Sequence, residues 1–560
     1  LPILQKEAGI SRLLFVVQIY YYPEEIFMKY RQHFSIRQTP QTQAIPDKQM
    51  VKNSAGGYVF AVDDWIRLDR FLVLGSEGGT YYANERKLTI DNAQAVVRCI
   101  KNNGPQVVAK VVEVSKGGRA PKNDPALFTL AICAGIGDIE TRRAAFDVLP
   151  QVARIGTHLF HFLEYVEGFR GWGRGLRRAV ANWYNYMPVD KLAYQVIKYQ
   201  QRDGWSHRDA LRLSHPIPDN SKDADMRNDL YKWIVGNPEA KYGDIDLIAA
   251  FEHAKVATNK LAIVSLILDE GLTREMIPTK WLNEPAIWSA LLQKMPLTAL
   301  IRNLGKMTRV GLLKPMGNET SLIIGKLTDQ AYIKKSRLHP LAILVALKIY
   351  AQGHGMKGRL SWSPITEIIN ALDEAFYLSF GNTEITNKRT MLALDVSASM
   401  SWNTIAGMPI TPREATGAMA MITARMEPHH IITAFSHQMI PVTLSARQRL
   451  DDVIQQIYDI PWGRTDCALP MLYALQNGIE IDTFIVYTDN ETWAGNIHPV
   501  QALQQYRHQM EIPSKLVVVG MTPSGFSVAD PEDSGMLDVI GFDTSTPQVI
   551  SDFVKADRIE

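Results

Sequence analysis

A chain of 560 residues is too long for one hydrophobic core, so two or more domains are expected. Its 46% apolar and 21% charged residues are ordinary for a soluble globular protein. Its three cysteines (Cys99, Cys133, Cys467) lack the paired spacing of a zinc site or a disulfide framework, which fits a reducing cytoplasm. The net charge of +2 conceals an asymmetry. Residues 386–560 carry 11 Lys+Arg against 20 Asp+Glu, a balance of −9, while residues 1–385 carry 49 against 38, a balance of +11. A basic body joined to an acidic domain suggests that the body meets a polyanion.

Residues 1–55 read as a leader and a linker. The apolar run 13–22 is too short to span a bilayer, and the Tyr-Tyr-Tyr-Pro-Glu-Glu at its end offers no small-residue cleavage site. With Leu1 in place of Met, the leader is expected to be an extra segment that contributes little to function. The polar, Pro-containing stretch 38–47 reads as the linker.

From Gly56 to about residue 385 the pattern is helical. The Gly-rich turn 75–82 lacks the Lys-Ser/Thr ending of a phosphate-binding loop, which argues against nucleotide binding there. Helical periodicity then recurs over 89–102, 125–134, 139–150, 170–185, 189–201, 206–214, 244–256, 258–268, 318–328, 340–351 and 364–379. Helices joined by short loops predict an α-solenoid of paired, unequal, HEAT-like repeats.

The densest basic and aromatic stretch runs from Phe169 to His215 and includes Arg174 and Arg178. Lys198 and Arg202, four apart, are expected on one helix face. Arg208, Arg212 and His215 are expected on a second, with Gly204 breaking the helix between them. Two cationic stripes side by side would attract phosphates, and nearby rings can stack on unpaired bases. Trp183 and Trp205 fit a core position better than a base platform.

After a linker at 382–386, residues 386–560 alternate strands with helices. Strand patterns at 391–394, 431–435, 483–487 and 516–519 are interleaved with or followed by helical ones near 411–426, 446–457, 467–477, 499–509 and 546–555. This predicts a doubly wound, mostly parallel α/β sheet. The run Met391-Leu-Ala-Leu ends in Asp395, with Ser397 and Ser399 at alternate positions beyond it. Thr465 lies in a later loop, and a second buried-strand pattern ends in Asp489. Five oxygen donors at the carboxyl ends of strands suit a hard cation, Mg²⁺ or Mn²⁺, better than zinc. The set resembles the metal-ion-dependent adhesion site of the von Willebrand factor A family.

A second resemblance covers the chain from about Gly56 to its end. Residues 198–215, Lys-Tyr-Gln-Gln-Arg-Asp-Gly-Trp-Ser-His-Arg-Asp-Ala-Leu-Arg-Leu-Ser-His, resemble the signature of the Ro ribonucleoprotein family and its helical TROVE domain. The phrases at 75–82, 295–307, 395–400, 465–467, 488–492 and 541–543 match it as well. The segment 219–244 is shorter than in animal members, which suggests a bacterial-type relative. The resemblance implies that the repeats close into a monomeric ring with the A-domain docked where its ends meet. It implies small structured (Y-like) RNAs on the basic outer surface, and single-stranded 3′ ends of misfolded RNAs in a central hole. The RNA contacts it implies fall on Lys198, Arg202 and His215, and an exoribonuclease is an implied partner in RNA quality control. No membrane association and no enzymatic activity are expected. A metal-dependent phosphatase or nuclease using Asp395 as nucleophile would need a second acid two residues on, where Ser397 stands. An adhesion protein without RNA would leave the basic body unexplained.

Overall fold

The computed structural model describes residues 38–77, 80, 85–218, 223–356, 358–380, 384–402 and 404–556. The leader, part of the 75–82 turn, residues 219–222 and part of the 382–386 linker lie outside them.

β1 (Met50–Lys52) and β2 (Tyr58–Ala61) pair antiparallel, and the free edge of β2 pairs with Phe526–Ser527 from the far end of the chain. Val59 and Phe60 sit in an apolar layer of the C-terminal domain. The stretch 38–47, expected to be a linker, is fixed in place. Gln41 is fully buried, and its backbone N–H donates to the Gly495 carbonyl at 2.9 Å. Its polar side chains meet buried polar groups of the acidic domain, a pairing that composition alone reads as solvent exposure.

Between Asp64 and Leu378 the described chain is almost entirely helical. Several helices lie outside the sequence expectation, among them Gly156–Glu167, Ala224–Val235, Pro285–Lys294 and Leu297–Arg309. The last buries Leu297, Leu300, Ile301, Leu304 and Met307, one face at helical spacing. The helix expected over 189–201 stops at Lys198. β3 (Gln201–Arg202) and β4 (Trp205–Ser206) then form a hairpin across Asp203 and Gly204, whose φ values are +50° and +79°. Two successive positive φ angles characterise the I′ turn that Asp-Gly favours, so local turn chemistry overrode the helical period.

The helical array closes on itself. The Arg337 guanidinium donates to the Lys116 carbonyl at 3.1 Å, and His339 Nε2 lies 3.1 Å from the Arg119 carbonyl oxygen, joining residues more than two hundred positions apart.

The C-terminal domain is built on β5 (Thr390–Asp395), β6 (His430–Phe435), β7 (Met439–Pro441), β8 (Thr483–Thr488), β9 (Lys515–Gly520), β10 (the Phe526–Ser527 strand) and β11 (Met536–Ile540). Its main sheet has the order β11-β9-β8-β5-β6-β7, parallel except at the β7 edge. Met391 and Ala393 enter one apolar layer and Leu392 and Leu394 the other, the alternation of a strand buried on both faces.

This domain is tied to both ends of the array. At the start, the buried Arg70 of helix Asp64–Leu74 reaches the Ser524 and Phe526 carbonyls and pairs with Asp538 at 2.5 Å, while Arg119 pairs with Asp543 at 2.6 Å. At the end, Lys348 pairs with Glu414 at 2.6 Å and Asp373 with Arg425 at 3.0 Å.

Candidate functional site

β5 lies at the switch point of the sheet, flanked by β6 on one side and β8 on the other, which opens a crevice at their carboxyl ends. Asp395 closes β5 and is fully buried. Its Oδ1 accepts the Ser397 N–H at 2.8 Å, and its Oδ2 accepts the Thr488 hydroxyl at 2.6 Å. Ser397 and Ser399 hold their hydroxyls 3.1 Å apart. Asp489, just past β8, accepts the Glu491 N–H at 3.1 Å and a hydrogen bond from Ser399. Thr465 lies across the crevice, its carbonyl taking the Trp493 and Ala494 N–H groups. Ser399 and Thr465 both line a cleft of about 580 Å³ together with His437, Trp462, Arg464 and Trp493.

Burial pushes the Asp395 carboxyl above its ordinary range, against the hydrogen bonds from Ser397 and Thr488. Burial, followed by the charges of Asp395 and Glu491, pushes Asp489 well above its range. Two carboxylates buried within reach of each other favour a cation between them. The donor set of two carboxylates and three hydroxyls fits Mg²⁺ or Mn²⁺, and among the described residues no cluster of three or more His, Cys, Asp or Glu offers an alternative.

The basic residues divide differently from the two stripes expected. Arg174 and Arg178, on helix Arg174–Tyr186, line a cleft of about 880 Å³ with His215. His215 caps helix His207–Ser214 in a left-handed conformation, φ 48° and ψ 58°. Arg142, Arg143, Arg170 and Arg177 line the same cleft against a single acid, Asp147. Arg208 and Arg212 are exposed on helix His207–Ser214, outside that lining. Lys198 ends its helix half-buried, its ammonium 2.7 Å from the Tyr194 hydroxyl and facing the Tyr194 and Tyr199 rings. Arg202 stands exposed on β3, 3.4 Å from Asp203, so it and Lys198 do not share a helix face. Trp183 is fully buried and donates to the Ala153 carbonyl, whereas Trp205 is half-buried beside Trp172. Sequence reasoning did not reach Arg142 and Arg143. Their adjacency inside a predicted helix was the available signal, but only packing brings that helix beside Arg174.

A closed array of helices joined to an α/β domain with an oxygen-lined crevice at its switch point defines a helical-repeat protein carrying a von Willebrand factor A domain. The chain belongs to the Ro60 family. The Ro60 vWA domain model matches residues 389–554, and the TROVE domain model matches 51–268 and 259–349. The RNA-binding protein RO60 of Deinococcus radiodurans is 42% identical over 523 residues, 92% of this chain and 97% of that one. The RNA-binding protein RO60 of Caenorhabditis elegans is 36% identical over 590 residues, 92% and 91% of the two chains. The crystal structure of the Deinococcus radiodurans RO (RSR) protein superposes with a TM-score of 0.66, covering 88% of this chain and 99% of that one. No described helix is long and apolar enough to cross a membrane.

Proposed function

We propose that this chain is a non-catalytic RNA-binding scaffold of RNA quality control. It holds small structured, Y-like RNAs on the outer basic surface of a monomeric ring and takes single-stranded 3′ ends of misfolded RNAs into a central hole. The observation that carries the reading is the cleft of six arginines and His215 with one acid in its lining. That concentration of guanidinium groups suits a phosphate backbone, since arginine forks onto phosphate oxygens. His215, exposed at a helix end, can donate to a phosphate or stack on a base. The relatives named as RNA-binding proteins support the same conclusion. The Tyr-lined Lys198 and the exposed Arg202 extend the RNA surface beyond the cleft. A cytoplasmic setting and an exoribonuclease partner complete this reading.

Mg²⁺ or Mn²⁺ in the A-domain crevice would present an open coordination position to a carboxylate of a partner. Asp395 and Asp489 would balance its charge, and Ser397, Ser399 and Thr465 would hold it with neutral oxygens. Ser397 stands where a phosphotransferase would carry its general acid, which supports binding over hydrolysis.

Fluorescence anisotropy of a labelled stem-loop RNA across a salt series tests the scaffold reading. Replacing Arg174, Arg178 and His215 with Ala is expected to weaken binding and to lower the slope of log affinity against log salt by roughly 0.7 to 0.9 for each phosphate no longer neutralised. Asp395→Ala is expected to leave both unchanged. Wild-type affinity and slope in the triple variant would refute the cleft as the RNA path.

A further inference from the structure

The β3–β4 hairpin that carries Arg202 has strands of two residues each, too short to hold their own position in water. Its base is fixed. Trp205 packs beside Trp172, and Ser206 and Asp209 cap the helix that follows in a reciprocal capping box. Its tip meets the body of the array through His161 of helix Gly156–Glu167, whose Nδ1 donates to Asp203 Oδ2 at 2.5 Å. The imidazole is mostly buried and is itself held on two other sides. It stacks on Tyr165 one turn along the helix, with ring centroids 6.3 Å apart and planes 17° from parallel. Its Nε2 lies 3.6 Å from Asp124 Oδ1, at the start of helix Asp124–Ile136. Asp203 turns its other oxygen to the hairpin, where Oδ1 lies 3.4 Å from Arg202 Nε. One carboxylate therefore joins a His fixed on a helix to an exposed Arg on a short hairpin.

We propose that His161 is a positioning residue for RNA binding: through Asp203 it fixes the hairpin so that Arg202 presents Nη1 and Nη2 to a phosphate. The proposal rests on the reading of Arg202 as part of the RNA surface and adds the residue that places it. Arg202 is held by its inner nitrogen, which leaves the outer fork for a bidentate contact. Without the tie to His161 a long side chain would stand on a loose tip, and the entropy of ordering both would oppose binding. Asp203 is otherwise out of place. A carboxylate beside a phosphate-binding Arg repels the backbone that approaches it, and Asn-Gly would serve the I′ turn without that charge. Holding the hairpin accounts for the acid.

The test titrates a labelled stem-loop RNA by fluorescence anisotropy, across a salt series, against the full chain and its variants. Arg202→Ala is expected to weaken binding about threefold to tenfold and to lower the slope of log affinity against log salt by roughly 0.7 to 0.9. His161→Phe keeps a ring on Tyr165 and loses the donor. It is expected to copy Arg202→Ala in affinity and in slope, and the double variant to be no weaker than either single one. His161→Asn, whose amide nitrogen falls near the place of Nδ1, is expected to recover most of the loss. Asp203→Asn keeps the turn, but its one amide oxygen cannot accept from both His161 and Arg202. Removing an acid from an RNA-facing tip tightens binding by charge alone, whereas the positioning role predicts weaker binding. The sign decides, even where His161→Phe does not fold. If Arg202→Ala weakens binding, the positioning role is overturned by any of these results: wild-type affinity or slope in His161→Phe, additive losses in the double variant, no recovery in His161→Asn, or unchanged or tighter binding in Asp203→Asn. The RNA reading of Arg202 then stands. Wild-type affinity and slope in Arg202→Ala remove both.

Discussion

Gln41 has no exposed surface, and both ends of its amide are used. The NH₂ group donates to Asp466 Oδ1 at 2.7 Å and to the Ile497 carbonyl at 2.9 Å, and the amide oxygen accepts the Thr492 hydroxyl at 2.6 Å. One side chain from the N-terminal strap thereby ties together the loop after Thr465 and the loop after Asp489. Gln41→Ala is expected to cost about 2 kcal/mol in urea denaturation, because Asp466, Thr492 and the Ile497 carbonyl each lose a buried hydrogen bond. Gln41→Glu keeps the shape but sets a carboxylate against Asp466, and the same titration is expected to show a larger loss near neutral pH.

At the scale of elements, the seam that closes the helical array turns on His339. Its Nδ1 accepts the Leu341 N–H at 3.1 Å and caps helix Pro340–Ala351, which leaves Nε2 to donate to the Arg119 carbonyl. Both nitrogens work only in the neutral ring. Burial pulls the folded pKa from its ordinary 6.5 down to about 4, against the pull of the Arg119 and Phe542 carbonyls and of Asp543. The unfolded chain takes up the proton at about 6.5, so the seam's contribution is fully present above that pH and is lost as pH falls from 6.5 towards 4. Between neutral pH and about pH 5, His339→Gln is expected to lose roughly 2 kcal/mol less stability than wild type. Urea midpoints measured at both pH values check this, and parallel pH profiles would contradict it.

For the whole molecule, the A-domain acts as the clasp of the ring. It holds the first helix through Arg70 and Asp538, the last helices through Lys348 and Arg425, and the N-terminal strap through β2 and β10. Its boundary in space therefore differs from its boundary in the chain. Residues 386–560 expressed alone leave the β10 edge unpaired and uncover the apolar layer that Val59 and Phe60 complete. Such a fragment is expected to bind the hydrophobic dye ANS and to self-associate, and fusing residues 38–77 to it is expected to suppress both. Dye fluorescence and light scattering decide the matter.

The sequence by itself determined the features written in local chemistry. A four-residue apolar run ending in Asp395 marked a strand buried on both faces, and Asp489 marked its neighbour. The spacing of Ser397 and Ser399 marked a loop of oxygen donors, and the motif from Lys198 to His215 marked the family. The same stretch also shows where local reading stops. The Asp203–Gly204 turn was legible as a hairpin signal, yet the basic residues on either side read as a helix because their spacing happened to be four. Tertiary structure alone decided that His215 joins Arg174, Arg178, Arg142 and Arg143 in one cleft while Lys198 and Arg202 stand outside its lining. It also decided that residues 38–61 belong to a domain that begins more than three hundred residues later. Periodicity and turn preferences act over a few residues, whereas these associations depend on which helices pack together and on which buried polar groups find partners across the fold.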